Sequence, residues 1–369
     1  MYKNREDIIA ARETISPPGD TLAEIIELKG ISQVDLALRM GRPLKTINEI
    51  IKGKAAITPE TAIQLERVLG TDADFWLERE KKYRLELAEI EEAERILRDW
   101  AWIDNFPIAM MKKLNWISYD NNILSKADSL FSFFEISSRN SFYKYYFERA
   151  YETAYRASNN SNTNPYAVSA WLKQGEKQAE KIEAPEYNSK VFKDVLLEVK
   201  TLMAEQPENY FKKLQSFCLD AGVKVVYTPS LPQTHLHGST RWINDTPLIQ
   251  LTNLYNRNDI FWFTFFHEAG HIIKHGKKGL FVEGLKHSEK DTEKEKEADD
   301  FAVKYTLSVE QEAEILESMP LSKNEIVEYA KKFNTHPAMI VGRFAHGDPS
   351  LNKTGWSLKF FQKVDLSEV

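Results

Sequence analysis

Two histidines four residues apart, with a glutamate directly after the first, stand at His267-Glu268-Ala269-Gly270-His271. On a helix, residues four apart are turned by about 40° and separated by about 6 Å of rise, so both imidazoles leave one face and can grip one ion. Glu268 lies one residue along, where it reaches a water on that ion rather than the ion itself, as a general base must. The segment is therefore expected to be a helix. The run Phe261-Trp262-Phe263-Thr264-Phe265-Phe266 gives that helix an aromatic start.

A zinc site of this type needs a third protein ligand and leaves the fourth position to water. His275 sits about 12 Å along the axis from His267, so one straight helix cannot bring all three histidines to one ion. It reads as an outer partner of the site or as a surface residue. Position 277 is lysine, which excludes the extended metzincin pattern. Cys218 is the only cysteine, so neither an intrachain disulfide nor a cysteine-based zinc ribbon can form. A carboxylate remains as third donor. Glu295-Lys296-Glu297-Ala298-Asp299-Asp300-Phe301-Ala302 begins 24 residues after His271. Glu295 and Asp299 share a helix face, so Glu295 can bind the ion while Asp299 accepts the outer N–H of a ligating histidine. Glu297 is expected to point toward solvent. The set is gluzincin-like, with Zn²⁺ as cofactor and Glu268 as the catalytic residue. The oxyanion donor is open among His237, His336 and Tyr305.

At 369 residues the chain has room for two or three domains, and 42% apolar with 28% charged residues is an ordinary globular composition. No apolar run approaches the ~20 residues of a membrane span, and the charged start Met1-Tyr2-Lys3-Asn4-Arg5 lacks the features of a secretory signal. A cytoplasmic location without membrane partners is expected. The net charge of −6 argues against a protein that coats nucleic acid indiscriminately. Residues 29–54 run the other way, with Lys29, Arg39, Arg42, Lys45, Lys52 and Lys54 against Asp35 and Glu49.

That basic stretch has helix-turn-helix dimensions. A helix from Ser32 to Met40, a turn at Gly41-Arg42-Pro43 and a helix from Leu44 to Lys52 would put the second helix in the major groove. Gln33 would bond a phosphate, Lys45, Thr46, Asn48 and Glu49 would face the bases, and Arg42 and Lys52 the backbone. A plain helical bundle with a solvated basic face is the competing reading. From Trp76 to Leu97 a heptad-like spacing of Tyr83, Leu87, Ile90, Glu94 and Leu97 predicts either a helix pair or a long helix with one face on the next domain. Residues 100–185 are aromatic and mainly helical, with a loop at Asn159–Pro165. After residue 186, helices near 190–205 and 208–221 precede strands at 223–227, 238–243 and 247–252, an α+β arrangement. Either of the last two strands could offer an edge to a substrate strand.

The residues quoted around His267 and Glu295, with His275-Gly276, Gly238-Ser239-Thr240-Arg241-Trp242 and His336-Pro337 to Gly342-Arg343, resemble the ImmA/IrrE family of bacterial and phage metallopeptidases over about 186–346. The resemblance implies Zn²⁺ at His267, His271 and Glu295, a catalytic Glu268, and hydrolysis of a peptide bond. The chain departs from the family after Phe301-Ala302, where it reads Val303-Lys304-Tyr305-Thr306-Leu307-Ser308. Residues 17–77, through Pro17-Pro18-Gly19, Gly30-Ile31-Ser32-Gln33, Gly41-Arg42-Pro43, Gly53-Lys54 and Leu69-Gly70, are similar to HigA-type antitoxins of the lambda-repressor-like (XRE) class. That similarity implies a dimeric operator binder, often encoded beside a small toxin.

The expected organisation is a lambda-repressor-like DNA-binding domain at 1–78, a helical linker or dimerisation region at 79–185, an α+β zincin-like peptidase domain at 186–346 and a tail at 347–369. Two functions are in play. In one, a DNA-bound regulator cuts a repressor or antitoxin-type protein. In the other, an antitoxin-like autoregulator carries a peptidase-like half that senses or binds without turnover.

Overall fold

Short helices with explicit stops build the N-terminal part of the computed structural model, which describes residues 2–151, 163–277, 280–282, 289–319, 321–347 and 357–364. These helices are α1 (Arg5–Thr14), α2 (Pro18–Leu28), α3 (Gln33–Met40), α4 (Leu44–Ile51), α5 (Pro59–Leu69) and α6 (Ala73–Arg98). Ser32 Oγ caps α3 by accepting the Asp35 N–H at 3.1 Å, and Gly41 ends it in the left-handed region at φ 64°. Leu22, Leu36, Ile47, Ala62 and Leu65 have no exposed surface and meet Trp76 of α6 in one small core. A Cβ on Gly19 would lie 2.2 Å from the Ile51 carbonyl oxygen, so only glycine lets α2 cross the end of α4 this closely.

The heptad-like stretch is one continuous helix, and the partner it meets belongs to the same chain. On α1, Arg12 donates to both carboxylate oxygens of Glu94, Nε to Oε1 at 3.1 Å and Nη2 to Oε2 at 2.8 Å, while Ile90 is fully buried. Arg12 and Glu94 are each about a third exposed, so the ion pair orients α1 more than it stabilises it.

The chain divides into two compact units, residues 1–103 with 118–130, and residues 104–117 with 131–369. Within these units α6 belongs to the first, and a helix at Pro165–Glu180 packs on the sheet of the second. In chain order the elements that follow α6 are α7 (Ile108–Lys113), α8 (Ile123–Phe134), α9 (Arg139–Phe142), α10 (Pro165–Glu180), α11 (Ser189–Glu205) and α12 (Tyr210–Asp220). Next come β1 (Lys224–Tyr227), β2 (Gly238–Ile243), β3 (Thr246–Leu251), α13 (Asn258–His275) and β4 (Phe281–Val282). The last are α14 (Glu289–Thr306), α15 (Val309–Glu317), α16 (Lys323–Phe333) and α17 (Pro337–Gly347). Of the loop expected at Asn159–Pro165, residues 159–162 lie outside the described residues, and Asn164 caps α10 by accepting from the Tyr166 and Ala167 N–H groups.

The sheet has the order β1-β3-β2-β4, with β1 parallel to β3 and β2 antiparallel to both neighbours. Alternation along the strands covers both faces. Val225, Ile249 and Leu251 enter the main core with Trp262, Phe265 and Phe266 of α13. On the other face Val226 and Leu248 pack against Ala179 of α10, and Gln250 donates to the Trp171 carbonyl at 2.7 Å. The expected edge at 247–252 is therefore not an edge, since β3 is paired on both sides. On β2 the pairing with β4 covers Ser239 and Thr240. Cys218 is fully buried in the main core.

The described part of the expected C-terminal tail is docked. Phe360 and Val364 are buried, and Gln362 exchanges two hydrogen bonds of 3.1 Å with Asn258 at the start of α13. Among the described residues, no helix is long and apolar enough to cross a membrane.

His336, just before α17, is 7% exposed, and its Nδ1 accepts from Asn258 Nδ2 and from the Ala338 N–H. Burial brings its pKa down to about 4. The unfolded chain binds this proton near pH 6.5 and the folded chain only near 4, so folding stability contributed by neutral His336 is present above pH 6.5 and is lost as pH falls toward 4. The loss is expected to approach roughly 3 kcal/mol. Urea melts between pH 7 and 4 should show His336→Gln with a shallower pH dependence than wild type.

Candidate metal centre and DNA-reading helix

The four-residue spacing on α13 places His267 and His271 side by side, with Nε2 atoms 3.0 Å apart. Glu295 comes from α14, its Oε2 3.1 Å from His267 Nε2 and its Oε1 3.6 Å from His271 Nε2. Donors about 2.1 Å from a tetrahedral ion are about 3.4 Å from one another, and these three donors stand 3.0, 3.1 and 3.6 Å apart, a grouping that could hold a metal ion. Both imidazoles are buried and Glu295 nearly so. Burial above all, helped by the proximity of His267 and opposed by Glu295, brings the pKa of His271 down to about 4, which keeps its ring neutral and able to ligate.

Each histidine also has an outer partner. His267 Nδ1 lies 2.9 Å from Asp299 Oδ1, as the spacing of Glu295 and Asp299 predicts. His271 Nδ1 lies 3.1 Å from His275 Nδ1, and His275 Nε2 lies 2.9 Å from Glu297 Oε2. Glu297 is exposed, as expected, and its carboxylate also reaches His275. Its long side chain reaches back although it sits about 200° round the helix from Glu295. Phe281 of β4 stacks on His271 at 4.1 Å between centroids and 12° between planes. A two-residue strand carries no periodic signal, so nothing in the sequence pointed to Phe281.

Glu268 is fully buried, and its carbonyl accepts from Thr240 Oγ1 at 3.0 Å, which ties α13 to β2. The strand passes so close that a Cβ on Gly238 would lie 2.7 Å from Thr264 Cγ2 and 2.9 Å from Glu268 Oε1. Of the three oxyanion candidates, Tyr305 stacks on Phe266 in the core and His336 is engaged by Asn258. His237 lines a cavity of about 510 Å³ together with Phe263, Thr264, Asp299 and Met339.

In the first unit, α3, the Gly41 turn and α4 form the helix-turn-helix. Lys45 projects from the first turn of α4 with 84% of its side chain exposed, 3.8 Å from Glu49. Thr46 and Asn48 are half-buried, Lys52 is exposed, and Gln33 is half-buried at the start of α3. Arg42 is held on α5, its Nε donating to Gln64 Oε1 at 2.5 Å and its Nη2 lying 3.4 Å from Glu60. Its guanidinium therefore braces the turn.

A helix-turn-helix bundle and a two-helix His/His/Glu cluster define a DNA-binding regulator with a metallopeptidase-type domain. Residues 22–76 match the helix-turn-helix family model, and residues 218–344 match the IrrE N-terminal-like domain of the M78 peptidases. Over 72 residues the chain is 35% identical to the uncharacterized HTH-type transcriptional regulator YddM of Escherichia coli K12, a match spanning 20% of this chain and 77% of that protein. It is 37% identical over 73 residues to virulence-associated protein I of Dichelobacter nodosus, spanning 20% of this chain and 68% of that one. Among solved structures, an addiction module antidote protein of the HigA family from Coxiella burnetii aligns over 23% of this chain and 92% of its own, at 28% identity and a TM-score of 0.21. The chain belongs to the family of helix-turn-helix regulators, and its C-terminal part carries an IrrE-like domain.

Two outcomes are expected. Metal analysis of the full chain should find one zinc per chain, lost in His267→Ala and in Glu295→Ala. Lys45→Ala combined with Asn48→Ala should weaken binding to the duplex that wild type selects from a random pool by roughly 10- to 100-fold, about 1–3 kcal/mol for a base contact; unchanged affinity would refute the groove assignment.

Proposed function

We propose that this protein is a transcriptional regulator that cuts a protein partner with a zinc-dependent endopeptidase site, its helix-turn-helix holding it at an operator. The observation that carries the reading is the convergence of His267, His271 and Glu295 beside the fully buried Glu268. Zinc, if bound by His267, His271 and Glu295, would supply a Lewis acid at this position. Glu268 would act as the base, taking up a proton there and returning it to the leaving amine. His237, lining the neighbouring cavity, donates to the carbonyl oxygen in this reading. The substrate is a repressor or antitoxin-type protein, and the site of action is the cytoplasm, where operator DNA is found. Two copies reading half-sites one helical turn apart would form the DNA-bound species, and a small toxin is a further candidate partner.

Glu268→Gln keeps every metal donor and removes the base. New protein termini mapped in cells should appear with wild type and disappear with Glu268→Gln, a loss of roughly 10²- to 10⁴-fold, while operator binding persists. If the termini are the same with both forms, and repression is too, the C-terminal part is a sensor without turnover.

A further inference from the structure

We infer that His275 and Glu297 form a relay that keeps the proton of His271 on Nδ1 and so turns the Nε2 lone pair toward the metal position. The inference rests on the zinc reading above and adds two residues to it.

The argument is one of donors and acceptors. Glu297 Oε2 can only accept, so the His275 nitrogen 2.9 Å away, Nε2, must carry a proton. The relay uses the neutral ring of His275, in which Nδ1 is then an acceptor. It faces His271 Nδ1 at 3.1 Å, so that nitrogen must be the donor. A neutral His271 protonated on Nδ1 has its lone pair on Nε2, the atom 3.0 Å from His267 Nε2 and 3.6 Å from Glu295 Oε1. With a cation between them, the Nε2 lone pairs of His267 and His271, 3.0 Å apart, both point at it, whereas the opposite tautomer of His271 would aim an N–H at the ion and oppose two lone pairs between the His271 and His275 rings.

Burial makes this choice strong. The side chains of His271 and His275 are 1% and 7% exposed, and Phe281 lies over both rings, at 4.1 and 5.4 Å between centroids. Water is kept from the bond between the rings, where the low dielectric strengthens a matched pair and penalises a mismatched one. His267 obtains the same tautomer directly from Asp299 at 2.9 Å. The two ligands are thus oriented by carboxylates two residues apart on α14, one acting directly and one through an intervening imidazole. Glu297 and His275 are positioning residues; neither touches the ion.

The test measures zinc affinity of the full chain by chelator competition for wild type, Glu297→Gln, Glu297→Ala and Glu293→Ala. Glu297→Ala should weaken zinc binding by about 10- to 100-fold. Glu297→Gln, whose amide oxygen still accepts, should fall between it and wild type, and Glu293→Ala, which removes the same charge elsewhere on α14, should match wild type. Thermal midpoints of the zinc-free proteins should coincide, since Glu297 is half exposed. Long-range ¹H–¹⁵N spectra of the zinc-loaded wild type should show His271 protonated at Nδ1 and His275 at Nε2, with the His275 proton no longer confined to Nε2 in Glu297→Ala. Equal zinc affinity in wild type and Glu297→Ala, or a proton on His275 Nδ1 in the zinc-loaded wild type, overturns the relay and leaves the metal centre standing. Failure of wild type itself to bind zinc overturns the metal centre, and the relay with it.

Discussion

The close approach of α13 and α14 is the constraint on which the C-terminal site depends. A Cβ on Gly270 would lie 3.1 Å from Phe301 Cβ and 3.2 Å from the Ala298 Cα, so the helices meet across a glycine and an alanine. Ala298 and Ala302, four residues apart on α14, are both fully buried. Helices separated by larger side chains would hold Glu295 too far from His267 for both to reach one ion. Dense interiors resist sub-ångström shifts, so the seam fixes the donor separations before any ion arrives. The fourth residue of the motif, Gly270, is in this sense as necessary to the geometry as the histidines.

The second anchor is the sheet. Thr240 holds the backbone of Glu268, and Gly238 allows β2 to run against the Glu268 carboxylate without displacing it. The proposed base is thereby located by a strand, while the candidate metal donors are located by a helix pair. Glu268 is left buried between regular elements, which limits its rotamers more than a loop would.

Much of this was legible in the sequence because it rests on helical period. His267 with His271 and Glu295 with Asp299 repeat at four residues, and each pair falls on one face. The same holds for the capped, glycine-stopped helices of the N-terminal bundle. What was not legible depends on contacts between distant segments or on the reach of flexible side chains. Glu297 turns back to His275, Arg42 turns onto Gln64, and α10 covers the sheet from before the expected domain boundary. The basic stretch at 29–54 within a chain of net charge −6 was legible as a place of interest, while the bracing role of one of its arginines required the fold.

The placement of Cys218 has a bearing on which signals this protein can register. It is the chain's only thiol, it sits without exposure in the main core, and burial pushes its pKa well up, so it is neither accessible to oxidants nor reactive toward them. The candidate metal donors are imidazoles and a carboxylate, which have no counterpart to the thiol oxidation ladder. Peroxide or disulfide stress therefore has no direct chemical handle on cysteine in this chain.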